Sequence, residues 1–278
     1  MHCAIIYDFD GTLAKGDCAQ YGVMPALGIV TTKEGIDAFW KDVKKSTEEE
    51  NADEITMYLW KLLELARTKN LLNVLSIEKL REYGNQIPLF GGVTDWFRRI
   101  NRYAADNGIG LSHYIISSGL EEMIRGTPIA KYFKEIFACR YIYNKEGEAV
   151  WPAISINYTT KTQFLFRINK GIENCWDNTS VNRFVEPAQR PIPFTHMIYI
   201  GDGDTDIPAM KMVKYQGGHS IAVFDEKSWK ESKTQNKVQK LISEERSDYV
   251  VPATYDEDSQ LAVSVKGILQ LIKRKYSK

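Results

Sequence analysis

The sequence lacks the features that mark exported and membrane-bound proteins. Four cysteines are spread along 278 residues, and no two of them have CxxC spacing. This density excludes a disulfide scaffold, and we expect reduced thiols in a cytoplasmic protein. No apolar stretch is long enough to span a bilayer, and the few apolar residues before Asp8 are far fewer than a signal-peptide core contains. We therefore expect neither export nor a membrane anchor.

The sequence also lacks an excess of charge of either sign. Lysine plus arginine and aspartate plus glutamate number 36 each, so no long-range field favours nucleic acid or an anionic membrane as partner. The basic run at 273–275 is typical of a solvated helix end. The four histidines show no metal-ligand spacing, and we assign them no role. Any affinity for phosphate must therefore be local.

What is present is a series of short apolar runs that end abruptly in polar residues. The first run, 3–7, leads into Asp8-Phe9-Asp10-Gly11-Thr12. Runs of this kind are typical of strands covered on both faces, as in parallel sheets. The later runs are 114–116 before Ser117-Ser118-Gly119, 197–200 before Gly201-Asp202-Gly203-Asp204-Thr205-Asp206, 220–224, and 249–251. The sequence thus predicts at least five buried strands.

Amphipathic helices alternate with these strands. Helical spacing of apolar residues is clear at 93–100, 162–168 and 261–272, and each pattern predicts one apolar face. The alternation predicts a doubly wound, mostly parallel, Rossmann-like α/β sheet. In such a sheet ligands bind at the carboxyl ends of the strands, where the polar clusters fall.

One region interrupts the alternation. Residues from about 14 to 87 contain helix patterns and no convincing strand, so we predict a helical cap of 15–87 inserted into a core of 1–14 and 88–278. The clearest cap helix is expected to start in the acidic run 48–50 and to end near Arg67. Trp40, Tyr58 and Trp60 are expected to pack in the cap core. In the core, 137–156 predicts a strand pair turning at 145–147, and 173–195 predicts a long loop.

Asp8 and Asp10 carry the chemistry that the first loop suggests. At i and i+2 after a strand they can point the same way, so that one carboxylate attacks phosphorus and the other protonates the leaving oxygen. A carboxylate approaching a phosphate is repelled by like charge. Mg²⁺ would reduce that repulsion, and we therefore expect Mg²⁺ as cofactor.

The later polar clusters supply the other groups that phosphate chemistry needs. Asp202 and Asp206 can provide metal oxygens, whereas Asp204 is assigned to the loop alone.

Ser117, Ser118 and Gly119 can offer a hydroxyl and backbone N–H groups to phosphate oxygens. Ser117 is preferred over Ser118, and Lys161, at the start of a helix, is preferred over Lys170 as the group that neutralises phosphoryl charge.

These motifs, in this order, resemble the four motifs of the haloacid dehalogenase superfamily. The helical insertion after the first motif and the irregular strand pair resemble its phosphoserine phosphatase-like branch. The resemblance spans most of the core but not the cap. It implies that Asp8 becomes phosphorylated, that Asp10 is acid and then base, and that Ser117 and Lys161 hold the phosphoryl group. It also implies Mg²⁺ bound by Asp8, Asp202 and the Asp10 carbonyl, with Asp206 close by.

The substrate is the least determined part. The resemblance implies a small phosphorylated metabolite, and it places Asp17 where that branch holds the substrate's amino group. The cap arginines, Arg67 and Arg81, do not match the position that binds the carboxylate of phosphoserine. A phosphohydrolase is preferred because Asp10 can activate water. A phosphotransferase or mutase that uses Asp8, and a non-catalytic binding protein on the same fold, remain as alternatives.

Overall fold

A computed structural model describes residues 1–203 and 205–276. Seven strands form one sheet in the order β4-β3-β2-β1-β5-β6-β7. All neighbouring pairs are parallel except β3 and β4, which are antiparallel. The strands are β1 His2–Tyr7, β2 Gly110–Leu120, β3 Phe133–Tyr143, β4 Ala149–Ile154, β5 Met197–Gly201, β6 His219–Phe224 and β7 Tyr249–Pro252.

Strand β1 lies at the centre of the sheet because both of its faces are apolar. Cys3 to Tyr7 have no solvent-exposed surface, as expected for a strand covered by helices on both sides. Tyr7 is paired with Ile115 of β2 on one side and with Ile200 of β5 on the other. The carboxyl ends of β1, β2 and β5 therefore lie side by side at one edge of the sheet. The polar segment 117–119, expected to follow a strand, lies inside the last part of β2, where the pairing with β3 is irregular.

Helices cover both faces of the sheet. In the core, α5 contacts β2 and α11, while α7 contacts β2 and α9. The expected doubly wound architecture is confirmed. The helices are α1 Val23–Ala26, α2 Lys33–Glu50, α3 Glu54–Thr68, α4 Ile77–Gly84, α5 Val93–Asp106, α6 Glu121–Arg125, α7 Lys161–Lys170, α8 Asn178–Asn182, α9 Ile207–Tyr215, α10 Ser232–Ser243 and α11 Gln260–Tyr276.

The region expected to form the cap is helical throughout its regular structure, with α1 to α4. The expectation that its main helix begins at the acidic run 48–50 is wrong. Those residues end α2, which stops at Asn51 with φ 49°, and α3 begins after Asp53, whose side chain accepts from the Thr56 N–H. Acidic residues mark a helix start only when an N-cap precedes them. Here the N-cap is Asp53.

The chain enters and leaves this region through one narrow connection. The N–H of Lys15 donates to the Pro88 carbonyl, and the N–H of Phe90 donates to the Leu13 carbonyl, each at 2.9 Å. We name this pair of hydrogen-bonded segments, 13–15 and 88–90, the stem. It falls at the domain boundaries expected from the sequence, but the division into cap and core stays a prediction.

The cap also contacts the core on the side of the strand pair β3–β4. The Asp53 carboxylate accepts from Ser155 Oγ at 3.3 Å and from the Asn157 side-chain amide. Although burial raises the pKa of Asp53, hydrogen bonds from Asn157 and Thr56 hold it below its ordinary value. The cap is thus fastened to the core at a second place besides the stem.

The strand pair that follows β2 is confirmed, with its turn at 144–148. The expected loop 173–195 contains the short helix α8 and is anchored by the buried Arg167, whose guanidinium donates to the carbonyls of Asn174 and Cys175. In the ranges 1–203 and 205–276, no helix has the length and apolar character needed to cross a membrane.

Candidate active site

The site is built at the edge of the sheet where β1, β2 and β5 end. Asp8 follows β1, its N–H donates to the Ile200 carbonyl of β5 at 2.9 Å, and its side chain is only 4% exposed. Ser117 lies near the end of β2, and the loop after β5 carries Asp202 and Asp206. The structure thus brings together the residues that the sequence analysis selected. Asp204 lies outside the described residues.

Lys161 is the central cation of the site. Its Nζ lies 3.0 Å from Asp8 Oδ1 and 2.7 Å from Asp206 Oδ1, and it donates to Thr205 Oγ1 at 3.0 Å. The side chain has no exposed surface. Burial alone would lower the pKa of Lys161, but the two carboxylates more than offset this and hold it above its ordinary value. Lys170, the alternative, donates instead to the Val181 and Arg183 carbonyls.

Asp206 holds the last loop in place. Besides Lys161, its Oδ1 accepts from the Tyr199 hydroxyl at 2.8 Å, and its Oδ2 lies 3.4 Å from the Gly203 N–H. A Cβ at Gly201 would lie 2.3 Å from Asp206 Oδ2. Only glycine at this position therefore leaves room for the Asp206 carboxylate to fold back against its own loop. Tyr199 was not identified from the sequence, because a tyrosine in a buried strand can serve packing alone and the sequence does not show that its hydroxyl makes a hydrogen bond.

Three carboxylates form a group that could hold a metal ion. One oxygen from each of Asp8, Asp202 and Asp206 lies within 4.8 Å of the others. Oxygen donors of this kind suit a hard cation such as Mg²⁺, so the residues present fit that ion. Asp202 also pairs with Lys237 of α10 at 2.9 Å. Lys237 was missed by the sequence analysis, because a single lysine on an amphipathic helix carries no signal.

Asp10 and Ser117 face each other across Gly119. A Cβ at Gly119 would lie 2.8 Å from Asp10 Oδ2 and 3.3 Å from Ser117 Oγ, so only glycine allows both side chains to approach this backbone. The Gly119 N–H donates to Ser117 Oγ at 3.0 Å, which leaves the serine O–H free to donate. Asp10 Oδ1 accepts from the Cys18 N–H at 2.9 Å. The hydroxyl of Ser118 is buried and has no hydrogen-bond partner among residues 1–203 and 205–276.

The carboxyl groups of the first loop have unusually high pKa values. Burial, with Asp206 adding to it and Lys161 opposing it, raises the pKa of Asp8 to about 7. Burial, together with Asp17 and Asp8, raises the pKa of Asp10 well above its ordinary value. Burial raises the pKa of Asp17 to about 6. A carboxyl group that keeps its proton near neutral pH can donate that proton to a leaving group.

A cavity of about 370 Å³ lies above these groups. Its described lining includes Asp8, Asp10, Asp202 and the segment 117–119 from the core side, with Asp17 at the start of the predicted cap. From the cap it is lined by Trp40, Glu54, Ile55 and Tyr58. The expectation that Trp40 and Tyr58 only pack in the cap is therefore incomplete, because both also border the cavity.

A neutral hydrogen-bond network supports β1 beneath the site. The Trp96 indole N–H donates to the Tyr7 hydroxyl at 2.8 Å, and this hydroxyl lies 3.1 Å from Nδ1 of the buried His113. Nε2 of His113 lies 2.9 Å from Asn101 Oδ1. Burial lowers the pKa of His113 to about 3. An Nε2-protonated, neutral imidazole satisfies both contacts, so the residue before Asp8 is fixed by uncharged partners.

Comparison with known proteins identifies the fold. The chain aligns with a structure of phosphoserine phosphatase titled as a phospho-aspartyl intermediate analogue at 17% identity and TM-score 0.53, covering 96% of this chain and 98% of that one. It aligns with a HAD family hydrolase from Salmonella enterica serovar Typhi at 15% identity and TM-score 0.54, covering 95% and 70%. The chain has the fold of the haloacid dehalogenase-type phosphoserine phosphatases, so the fold that the resemblance implies is confirmed.

Two further comparisons are consistent with this fold but add no activity. A phosphoserine phosphohydrolase-like protein from Francisella tularensis aligns at 19% identity and TM-score 0.51, covering 95% of this chain and 98% of that one. An uncharacterized protein from Borreliella burgdorferi is 27% identical over 235 residues, which are 76% of this chain and 78% of that protein. No family model matches the sequence.

Proposed function

We propose that the protein is a Mg²⁺-dependent phosphohydrolase that acts on a small phosphomonoester through an aspartyl-phosphate on Asp8. The observation that carries the proposal is the grouping of Asp8 with Lys161 at 3.0 Å and with two further carboxylates at the ends of neighbouring strands. The fold shared with phosphoserine phosphatases supports the same class of reaction. The cavity volume suits a small substrate, since ligand pockets span about 300–1,000 Å³.

Each transfer step has a residue placed for it. An oxygen of Asp8 attacks phosphorus, the bond from phosphorus to the ester oxygen breaks, and Asp10 gives its proton to the departing alcohol. Water then attacks the aspartyl-phosphate, Asp10 takes a proton from it, and the bond between phosphorus and Asp8 breaks to release phosphate. The two carboxyl groups needed for these roles, those of Asp8 and Asp10, lie on one loop, two residues apart.

The remaining residues bind charge and fix orientation. Lys161 and the Ser117 hydroxyl would hold phosphoryl oxygens, and the position of Ser117 opposite Asp10 supports it over Ser118. Asp8, Asp202 and the Asp10 carbonyl would hold Mg²⁺, with Asp206 beside them. When bound, the cation would reduce the repulsion between Asp8 and the phosphate. We further propose a cytoplasmic location, which the four free cysteines support.

The test is phosphate release from a panel of small phosphomonoesters, measured with Mg²⁺ and with EDTA, for the wild type and Asp8→Asn. We expect metal-dependent turnover that falls at least about a thousandfold in the variant, because the nucleophile is lost. Turnover that is indifferent to both EDTA and the substitution would refute the roles of Asp8 and the metal.

A further inference from the structure

The cavity has two walls of different chemistry. Its core side carries the groups proposed to hold phosphate. We name its opposite side, formed by Trp40, Glu54, Ile55 and Tyr58, the cap wall. Phosphate chemistry at the core side is common to any phosphomonoester, so the cap wall and its neighbours are the groups that select the alcohol part of the substrate.

The charges that face the alcohol part are negative. Asp17 and Glu54 both line the cavity, and in the described ranges neither forms an ion pair. Asp17 accepts from the Ala19 N–H at 2.9 Å, and Glu54 lies 3.4 Å from the Tyr158 hydroxyl. No lysine, arginine or histidine occurs among the described lining residues. A cationic group would therefore be attracted here and an anionic group repelled.

Three basic residues on the main cap helix and at its end contact groups outside the cavity. Lys61 pairs with Asp42, and Lys69 donates to the Leu27 carbonyl at 2.7 Å. The Arg67 guanidinium donates to the Val150 carbonyl of β4. None of these three side chains lines the cavity as described. A substrate with a carboxylate would thus place that group among carboxylates without a compensating cation.

The aromatic part of the cap wall is rigid. Trp40 and Tyr58 are stacked with ring centroids 4.9 Å apart and planes at 25°, and Phe39 packs edge-on against both. Tyr58 is 2% exposed and lines the cavity. Tryptophan and tyrosine rings beside carboxylates are the surroundings in which ammonium groups bind.

We propose that the substrate is the phosphate ester of an amino alcohol, with a cationic ammonium group held at the cap wall and with no carboxylate. This inference rests on the proposed function and specifies its substrate class. The ammonium group would lie against Trp40 and Tyr58 and be attracted by Glu54 and Asp17. The phosphate group would lie at the core side of the cavity.

The experiment compares choline phosphate with 3,3-dimethylbutyl phosphate, its uncharged carbon isostere, and with O-phosphoserine. We expect kcat/KM for choline phosphate to exceed that for the isostere by about tenfold or more, and that for phosphoserine by at least as much. Equal values for the cationic ester and its isostere, or a preference for phosphoserine, would overturn the inference and leave the proposed hydrolase standing.

Matched variants locate the preference. Trp40→Leu and Glu54→Gln should each reduce the ratio of choline phosphate to isostere by at least about threefold, because each removes one attraction for the cation. Trp60→Leu and Glu64→Gln, on α3 but outside the described cavity lining, should leave the ratio unchanged. The ratio is independent of the folded fraction of each preparation, so a partly unfolded variant remains informative. A ratio that all four substitutions leave unchanged would contradict the cap wall as the site.

A binding measurement separates the inference from the reaction. Titration calorimetry of Asp8→Asn protein in Mg²⁺ should show choline phosphate binding about tenfold more tightly than the isostere. If this preference is found while the wild type releases no phosphate, the proposed hydrolysis fails and the inferred specificity holds. If both esters bind equally, the inference fails whatever the wild type hydrolyses.

Discussion

The core and cap sides of the cavity differ in how their side chains are held. In the core, Lys161 and Asp206 have no exposed surface, and their charges contact each other directly. On the cap side, Trp40 and Glu54 lie on helices and are partly exposed, and the Asp53 carboxylate accepts hydrogen bonds from the loop before α7. The difference indicates that changes in the core disturb folding and chemistry together. If the proposed cap wall selects the substrate, changes there should alter substrate preference while the fold persists.

The strongest test of this contrast is Lys161→Met. The substitution leaves Asp8 and Asp206 buried without their cation, so the free energy of unfolding should fall by about 3–5 kcal/mol. Phosphate release should fall at least about a hundredfold, because the charge that offsets the phosphoryl group is lost. Urea unfolding and a phosphate assay measure the two effects.

Lys170→Met on the same helix is the control for that experiment. Lys170 contacts the carbonyls of the loop 173–195 and lies away from the carboxylates, so this variant should keep its activity. Wild-type activity in Lys161→Met, or an equal loss in Lys170→Met, would assign the phosphoryl-binding charge to another group.

A second test concerns the network beneath β1. The pKa of His113 is about 3 in the folded protein and near 6.5 in the unfolded chain. The unfolded state therefore binds more protons between these values, and the stability that neutral His113 contributes is complete above pH 6.5 and lost as the pH falls. The difference in unfolding free energy between wild type and His113→Gln should shrink by about 2 kcal/mol from pH 7 to pH 5.

Comparing wild type with His113→Gln at each pH removes the contribution of Asp8 and Asp17, which is common to both proteins. That contribution has the opposite sign, because the raised pKa values of these carboxyl groups make folding less favourable as the pH rises. His2→Gln, at a position exposed to solvent, should show a smaller change. A difference that is constant between pH 7 and pH 5 would mean that His113 titrates normally in the folded protein.

The smallest effect is expected where the cap meets the core. Asp53→Ser keeps an N-cap for α3 but is too short to reach both Ser155 and Asn157. We expect the unfolding free energy to change by less than about 1 kcal/mol, and KM to rise by about threefold to tenfold as the cap wall loses its position. Thr32→Ala removes the N-cap of α2 alone. It should lower the free energy of unfolding by about 1 kcal/mol without changing KM. If Asp53→Ser and Thr32→Ala changed KM equally, the Asp53 contact would have no specific part in substrate binding.

The contrast between the regions also explains what could be predicted. The strands β1, β2, β5, β6 and β7 were identified because buried parallel strands are nearly continuous apolar runs. The second half of β3 and strand β4 were identified as a pair from the turn between them. The first half of β3, from Phe133, was missed because Lys134 and Glu135 interrupt its apolar pattern. The bounds of helix α2 were missed because Val43 is its one fully buried residue, so its apolar pattern does not mark where it begins and ends.

The site was predictable to the same extent. The candidate residues lie at the carboxyl ends of strands or start a helix, and topology brings such positions together. They are Asp8, Asp10, Ser117, Lys161, Asp202 and Asp206. Lys237 and Tyr199 were not predictable, because their roles depend on contacts between distant parts of the chain. The double position of Trp40 and Tyr58, in packing and at the cavity, depends on how α2 meets α3. No local pattern encodes that meeting.

The stem has a consequence for how such a protein diversifies. Because Lys15 and Pro88 are joined by a hydrogen bond, the whole intervening region leaves and rejoins the core at one point, and no strand needs rerouting to accommodate it. Insertions are tolerated best where the two ends already lie together. Replacing this region by another of different length would therefore leave the strands that carry the candidate site where they are.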